Sequence, residues 1–429
     1  MSPNPESRTS FASFGHRSFV LFVIARLLSV IAIEMVSVSV GWQVYEITHR
    51  PLDLGLVGLT ECIPGVLLFL VAGNAADHFS RKRLLATCYL GYALCATLLL
   101  HFAWRGVATV APIYVAVFLL GTVRTFDNPA RSALLTEIVP AELFPTAVAW
   151  QSSILKMATL TGPMLGGFIY TLAGGPRPVY LTGGIAAVSA AAVAAFIVGR
   201  ERTARANRPN LRTMLAGLHY IRGHRIILGA ISLDLFAVLL GGAVALLPVY
   251  ARDILKTGPW GLGLLRSSPG IGAMLMGVLI AHVRLQKVGR VMLSCIVVFG
   301  TATVVFGLSH NLLLSMTALL ILGAGDMVSV IIRQTLVQVA TPDDMRGRVS
   351  AVNSLFVSTS NQLGAFESGV TAAWFGTVPA VVLGGLGSIV VAALWAWLFP
   401  GLRNADRLTV EELRPVELRR ETTTTVSPG

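Results

Sequence analysis

One stretch decides the fold of this chain: Gly73-Asn-Ala-Ala-Asp77-His-Phe-Ser-Arg81-Lys82-Arg83. It separates two apolar runs, residues 52–76 and 84–104, each long enough to cross a bilayer as a helix. A glycine at a helix end lets another helix approach closely, and an aspartate four residues later can accept from a neighbouring helix N-terminus. The basic triplet is expected to stay in water. We therefore expect a tight loop at a membrane surface.

The composition of the whole chain places this loop in an integral membrane protein. Of 429 residues, 54% are hydrophobic and 13% are charged, whereas about 25% of residues are charged in a typical soluble protein. The mean hydropathy is +0.73. So little charge cannot cover a globular surface of this size. A soluble enzyme, a disordered scaffold and a disulfide-stapled secreted domain are therefore excluded.

Hydropathy in windows of about 19 residues predicts twelve transmembrane helices, six on each side of one polar linker. They cover residues 18–46, 52–76, 84–104, 109–135, 145–172, 178–198, 226–251, 259–283, 291–309, 311–339, 349–375 and 377–399. The predicted organisation is an N-terminal tail (1–17), a six-helix half (18–198), a linker (199–225), a second half (226–399) and a C-terminal tail (400–429). Within the linker, apolar residues at helical spacing predict a short amphipathic helix; they are Leu211, Leu215, Leu218 and Ile221.

The basic residues predict the orientation. Of 33 Lys and Arg residues, 22 fall on the side that carries both tails and only five on the other side. Positive charge marks the cytoplasmic side, so both termini are expected inside the cell, and the chain is expected in the cell inner (cytoplasmic) membrane. The net charge of +12 thereby becomes an orientation signal, and no nucleic-acid partner is expected.

The two halves repeat one another. A shift of 202 residues aligns residues 120–167 with 322–369 without gaps, with identities that include Arg131/Arg333, Pro140/Pro342 and Gly162/Gly364. Two six-helix halves in the same orientation are related by an axis along the membrane normal, the arrangement of rocker-type transporters. We therefore expect an all-α membrane protein in two pseudo-symmetric halves, with substrate bound between them near the midplane.

Two motifs resemble those of the major facilitator superfamily. The loop at residues 73–83 resembles its loop 2–3 signature, in which a glycine is followed by an aspartate and a basic run. The helix 5 segment Gly162-Pro163-Met164-Leu165-Gly166-Gly167 resembles the motif of its antiporters. Residues 326–336 and 346–353 resemble the branch of enterobactin exporters and macrolide efflux proteins. The resemblance implies proton-driven export of a small organic molecule.

The two motifs contain the first candidate gating residues. Pro163 and its flanking glycines would let helix 5 bend and pack tightly between the halves. The repeat adds charges of opposite sign at equivalent positions, Glu61 with Arg266 and Arg124 with Asp326. Each pair is a candidate gate between the halves, although each group could instead pair within its own half. The gating candidates are Gly73, Asp77, Arg81, Arg124, Gly162, Pro163, Gly166, Gly167, Arg266 and Asp326.

Ionisable residues inside the spans are the candidates for proton coupling, because an unpaired charge in a membrane costs several kcal/mol. Glu34 is the first choice, Glu61 the second and Asp234 the third, each open to a purely structural reading. Arg26 is the expected partner of Asp234. Arg131 and Arg333 are expected to reach the membrane surface.

Polar and aromatic residues near the midplane are the candidates for substrate binding. Glu34 and Trp42 belong to one face of helix 1, which continues through Ser37, Gly41 and Tyr45. Candidates on helices 5 and 11 could bind substrate or join neighbouring helices; they are Gln151, Lys156, Asn353, Asn361 and Gln362.

The sequence therefore predicts a secondary transporter that exports an amphipathic, drug-like or siderophore-like molecule by proton antiport. The alternatives are a uniporter, importer or lipid transporter of the same fold and, from another class, a transporter-like sensor. No ATP-binding loop is present, so a gradient is the expected energy source. No catalytic site, cofactor or metal is expected. The expected partners are the substrate, protons and the bilayer, and the expected unit is a monomer.

Overall fold

The fold is described here from a computed structural model, which covers residues 16–106, 109–198, 211–283 and 286–404. The side chains of Leu70, Asp77, Ala141, Pro145, residues 211–214, Asp343 and Asp344 lie outside this description. The described residues form helices and no strand. Most of the two predicted tails and the first part of the linker fall outside the described residues.

Over the described residues, twelve helices of 16 residues or more follow one another, as the hydropathy pattern predicts. They are α1 (Arg17–Thr48), α2 (Pro51–His78), α3 (Arg81–Trp104), α4 (Ala111–Ile138), α5 (Phe144–Leu172), α6 (Pro176–Ala195), α7 (Arg225–Leu240), α8 (Pro259–Ile280), α9 (Val288–Leu308), α10 (Leu312–Ala340), α11 (Asp343–Phe375) and α12 (Thr377–Leu398). Over the described residues, nine segments are long and apolar enough to cross a bilayer, the one through α7 running on to Ile254. The three more polar helices are α4, α5 and α11, and all three line the cavity described below.

The helices pack in two groups of six. In the first group α1 contacts α5 and α6, α2 contacts α4, and α3 contacts α4 and α6. In the second group α7 contacts α11 and α12, α8 contacts α10, and α9 contacts α10 and α12. The groups meet through α2 with α11 and α5 with α8. Each contact has a counterpart in the other group, as expected for a two-fold repeat.

The ends of the helices define two sides of the molecule. The Ser18 hydroxyl at the start of α1 donates to the carbonyl of Val198, which follows α6. At the start of α7, Gly229 lies against Phe399, which follows α12. We call the side where α1 begins and α12 ends the terminal side, and the opposite side the far side.

Close backbone approaches show the pseudo-symmetry in atomic detail. A Cβ built on Gly369 of α11 would lie 2.7 Å from Cα of Gly55 on α2. In the equivalent interface, a Cβ on Gly167 of α5 would lie 3.1 Å from Cα of Gly263 on α8. Only a residue without a side chain permits such spacing between helix backbones. The repeat seen in the sequence is therefore a repeat of packing contacts.

Helix α7 is broken, although the hydropathy pattern predicts one continuous span over 226–251. It ends at Leu240, and the chain continues through Gly241 and Gly242 into a 3-10 turn, Ala243–Leu246. A short α-helical turn and a π-helical turn, Tyr250–Ile254, complete the crossing. Two adjacent glycines and Pro248 weaken the helix here. Hydropathy does not detect the break, because the residues around it are as apolar as a regular helix.

The linker contains the predicted short helix, Leu211–Gly223. Ile221 is buried against Val349 and Val352 of α11, and Gly217 lies against the backbone of Arg348. Leu215 on the same predicted apolar face is 54% exposed. The linker helix is therefore joined to the terminal end of α11 by part of its apolar face.

Candidate functional site: a charged cavity between the halves

A cavity of about 480 Å³ lies between the two groups of helices. The charged groups that line it are Glu34, Glu61, Arg124 and Lys156 from the first six helices and Arg266 and Asp326 from the last six. Asn361 and Gln362 on α11 also line it. The structure thus brings eight of the sequence candidates to one place. The broken part of α7 forms another wall, consistent with the rule that irregular backbone at membrane depth lines a cavity.

Glu61 and Arg124 form an ion pair in the wall made by the first half. The Arg124 side chain is 44% exposed and the Glu61 side chain 14%. Glu34 also lies within electrostatic range of Arg124. No hydrogen bond or ion pair involving the Glu34 carboxylate was found among the described residues. Glu34 is therefore the carboxylate of this wall that is open to the cavity.

The wall made by the second half carries Arg266 on α8 and Asp326 on α10. Arg266 crosses to the other half, where its Nη2 donates to the Ser37 hydroxyl at 2.8 Å. Neither of the predicted gate pairs, Glu61 with Arg266 or Arg124 with Asp326, is formed. Glu61 and Arg124 pair with each other instead, which agrees with the alternative that these groups pair within their own half.

Two buried ion pairs lie behind the cavity walls, and they correct the expected pairing of Arg26 with Asp234. Arg26 Nη1 contacts Asp127 Oδ2 at 3.0 Å, joining α1 to α4. Arg333 Nη2 contacts Asp234 Oδ2 at 3.1 Å, joining α10 to α7. Depth along the helices alone suggested the wrong pair, because it ignores which half each residue belongs to.

The surroundings of Arg333 correct a second expectation. Its side chain is 2% exposed, and its Nη1 donates to the Asn353 amide oxygen at 2.9 Å. The guanidinium is therefore a buried partner of Asp234 and Asn353, and it does not reach the membrane surface. The repeat partner Arg131 donates to Asn128 on its own helix.

Two predicted substrate contacts lie outside the cavity in this conformation. Trp42 is 7% exposed, and its ring meets that of Tyr170 edge-on with centroids 6.3 Å apart. Gln151 is not among the residues that line the cavity, and its amide oxygen is buried without a partner among the described residues. Helical spacing correctly places Glu34 and Trp42 on one face of α1. It does not show which part of that face is covered by neighbouring helices.

The loop between α2 and α3 also differs from expectation in one respect. Arg81 does not stay in water: its Nη1 contacts Glu137 Oε1 on α4 at 2.6 Å, and its side chain is 12% exposed. The Asp77 side chain lies outside the described residues. The ion pair fixes the start of α3 against the terminal end of α4. Glu137 was not predictable as the partner of Arg81, because charged residues near helix ends are common.

The hydrogen bonds between the halves that involve described residues lie from the middle of the molecule to the far side. The Tyr45 hydroxyl at the end of α1 donates to Asp253 in the π-helical turn. The Trp260 amide of α8 donates to the Thr171 hydroxyl of α5 at 3.0 Å. Near the middle, the Ser267 hydroxyl donates to the Leu160 carbonyl at 2.7 Å. The cavity is therefore closed on its far side.

The glycine motif of α5 serves both the half and the interface. A Cβ on Gly166 would lie 2.9 Å from the backbone of Met35, and Gly162 lies against Glu34, so these two glycines seat α5 on α1. The Pro163 carbonyl and Gly167 instead approach α8. Pro163 and Gly167 therefore pack between the halves as expected, whereas Gly162 and Gly166 pack within the first half.

Comparison with known proteins assigns the family. A family model described as transmembrane secretion effector matches residues 8–422. The chain belongs to this family of major facilitator transporters. The transporter is 26% identical to the enterobactin exporter EntS of Citrobacter koseri over 408 residues, which cover 91% of this chain and 93% of the relative. It is 25% identical to EntS of Shigella boydii serotype 4 over the same length.

Solved structures share the fold of the transporter. A bacterial homologue of the human lysosomal transporter Spinster, in an inward-facing and occupied conformation, matches with a TM-score of 0.72 at 12% identity, covering 89% of this chain and 96% of that one. A D-xylose–proton symporter matches with a TM-score of 0.67 at 12% identity, covering 90% and 98%. The family assigned above makes the protein a multi-pass membrane transporter and not an enzyme, and the solved structures agree with its fold.

Proposed function

We propose that the transporter exports a small amphipathic organic molecule, drug-like or siderophore-like, by proton antiport with alternating access. The observation that carries the proposal is the closed far side over a cavity with a free carboxylate, Glu34. The resemblance to enterobactin exporters over most of both chains supports export. The fold alone does not fix the direction, since a sugar–proton symporter shares it.

The orientation of the transporter is part of this proposal. The excess of Lys and Arg on the terminal side supports a cytoplasmic location of that side, in an inner membrane. The structure would then be the inward-facing state, in which a compound reaches the cavity from the cytoplasm. The cavity lies within a single chain, so we take the monomer as the transporting unit.

The cavity residues receive roles in this cycle. Glu34 would bind a proton from outside and release it inside, and its charge would bias the two conformations. Glu61 would tune this step through Arg124, and Asn361 and Gln362 would hydrogen-bond the transported molecule. Asp234 instead bonds Arg333, a contact suited to holding α7 against α10.

The substitution Glu34→Gln tests the role of the proton. It keeps the size and hydrogen-bonding capacity of the side chain but removes its charge, so efflux driven by a proton gradient should be abolished in proteoliposomes while the protein stays folded. Glu367→Gln is the matched control, because Glu367 lies outside the cavity and accepts from Thr371 on its own helix. Undiminished proton-driven efflux by the Glu34→Gln variant would refute the assignment.

A further inference from the structure

Asp326 on α10 and Lys156 on α5 carry opposite charges and belong to different halves of the molecule. Both line the cavity, and the two groups interact electrostatically. Lys156 is exposed. Among the described residues, neither group has an ion-pair partner within 4.0 Å. The two opposite charges are therefore close enough to interact electrostatically, but they do not form an ion pair in this conformation.

The position of Lys156 follows from the packing of α5 on α8. Leu160 lies one helical turn further along α5, on the same face. Its carbonyl accepts from Ser267 at 2.7 Å, and its side chain lies against Gly270. This contact joins the halves near the middle of the molecule. Lys156 is thus the first charge on the terminal side of that contact.

Asp326 lies at a similar depth on α10 of the second half. One turn before it, Gly323 lies against the backbone of Pro269 on α8, next to the contact with Leu160. Asp326 therefore also lies just on the terminal side of the point where the halves meet. When rigid halves rock about this contact to close the terminal side, the gap beside the contact is the narrowest, so charged groups there need only a small movement to meet.

The other charges around Asp326 do not replace Lys156. Arg333 on the same helix is held by Asp234 at 3.1 Å, and Asp234 itself, on α7, repels Asp326. On α8, Arg266 donates to Ser37 in the other half. From α9, the carbonyl of Cys295 lies near Gly325. Lys156 is thus the cation that is free to approach.

We propose that Asp326 is a second proton-binding carboxylate and that Lys156 is its partner in the state closed at the terminal side. This inference rests on the proposed proton antiport. Ionised Asp326 and the Lys156 ammonium form an ion pair as the terminal side closes. A proton arriving from the far side forms an O–H bond on Asp326 and removes its charge, while Lys156 keeps its own proton. The ion pair is lost, the terminal side opens, and the proton then leaves to water there.

The inference predicts that pH sets the separation of the halves without any transported compound. Spin labels at Ser132 on α4 and Gln334 on α10, both exposed and 202 residues apart, report that separation by pulsed electron resonance. They are placed in a variant whose four native cysteines are replaced. As pH rises from about 5 to about 9, Asp326 ionises and the distance between the labels should shorten.

Variants of the two residues test the pair. Asp326→Asn and Lys156→Gln should both keep the long distance at every pH, because neither can form the ion pair. The double swap K156D/D326K should restore the shortening of the label distance with rising pH. The control Glu367→Gln should show the same shortening as the parent protein. Size-exclusion profiles establish that each variant is folded.

Three results would overturn the inference: an unchanged distance in the parent protein, a normal pH response in Asp326→Asn, or no response in a folded swap variant. The labels report without a compound. An unchanged distance between the labels would therefore overturn the Asp326–Lys156 ion pair but not the proposed antiport, which flux measurements test. Conversely, an absence of proton-coupled flux would not alter the measured change in distance.

Discussion

At the scale of single residues, charge inside this membrane protein is used in two ways. Arg26 with Asp127 and Arg333 with Asp234 are buried, and each pair joins two helices of one half. Glu34, Lys156 and Asp326 face the cavity without such partners among the described residues. Nearly all of these residues were predictable from the sequence, because charges are rare in apolar spans. Their partners were not predictable, since partners are set by packing between distant helices.

The buried pairs predict a large cost when one partner is removed. Asp234→Ala leaves the Arg333 charge buried without its carboxylate, so we expect a loss of about 3–5 kcal/mol in the free energy of unfolding. The double variant D234A/R333A should recover much of that loss. Arg50→Ala is the control, because the Arg50 side chain is 68% exposed beside Asp53 and exposed pairs contribute about 0–1 kcal/mol.

Chemical unfolding in detergent measures these differences. Equal losses for Asp234→Ala and Arg50→Ala would mean that the Asp234–Arg333 pair does not support the fold.

At the scale of helices, the structure depends on close approaches that side chains would block. The glycines of α5 and α11 were visible in the sequence, and the repeat showed that they are equivalent. Which neighbour each glycine faces was not visible: Gly162 and Gly166 face α1, whereas Gly167 faces α8. The break in α7 was missed for a similar reason, because hydropathy averages over the glycines that cause it.

A single methyl group tests the packing of α2 on α11. In Gly369→Ala the new Cβ would lie 2.7 Å from Cα of Gly55, so the far ends of these helices must separate. We expect a cost of about 1–3 kcal/mol, the usual range for overpacking. Gly347→Ala on the same helix is the control, because its Cβ would meet nothing within 4 Å. Equal thermal stability of the two variants would contradict this reading of the interface.

At the scale of the whole molecule, the repeat in the sequence was enough to predict two halves around a central cavity. The conformation was not predictable, because both states of a rocking transporter must satisfy the same hydrophobic pattern. The structure adds the closed far side, with Tyr45 bonded to Asp253 across the halves. It also adds the charges that remain apart on the terminal side of the α5–α8 contact.

The orientation can be tested at the two ends of one helix. Arg83 lies in the first turn of α3, Arg105 directly follows its last residue, and both are exposed. Single cysteines at these positions should react differently with a membrane-impermeant maleimide in intact cells: Arg105→Cys from outside, and Arg83→Cys only after permeabilisation. The opposite pattern would reverse the proposed orientation.

The central claim, proton antiport, is tested most directly by proton movement in proteoliposomes that contain the purified transporter and an internal pH dye. Enterobactin is the first compound to add, followed by amphipathic antibiotics, each at several pH values. We predict that movement of a transported compound out of the terminal-side compartment drives protons the opposite way, and that Glu34→Gln abolishes both movements. Movement of the compound with no proton movement at any pH would contradict the account.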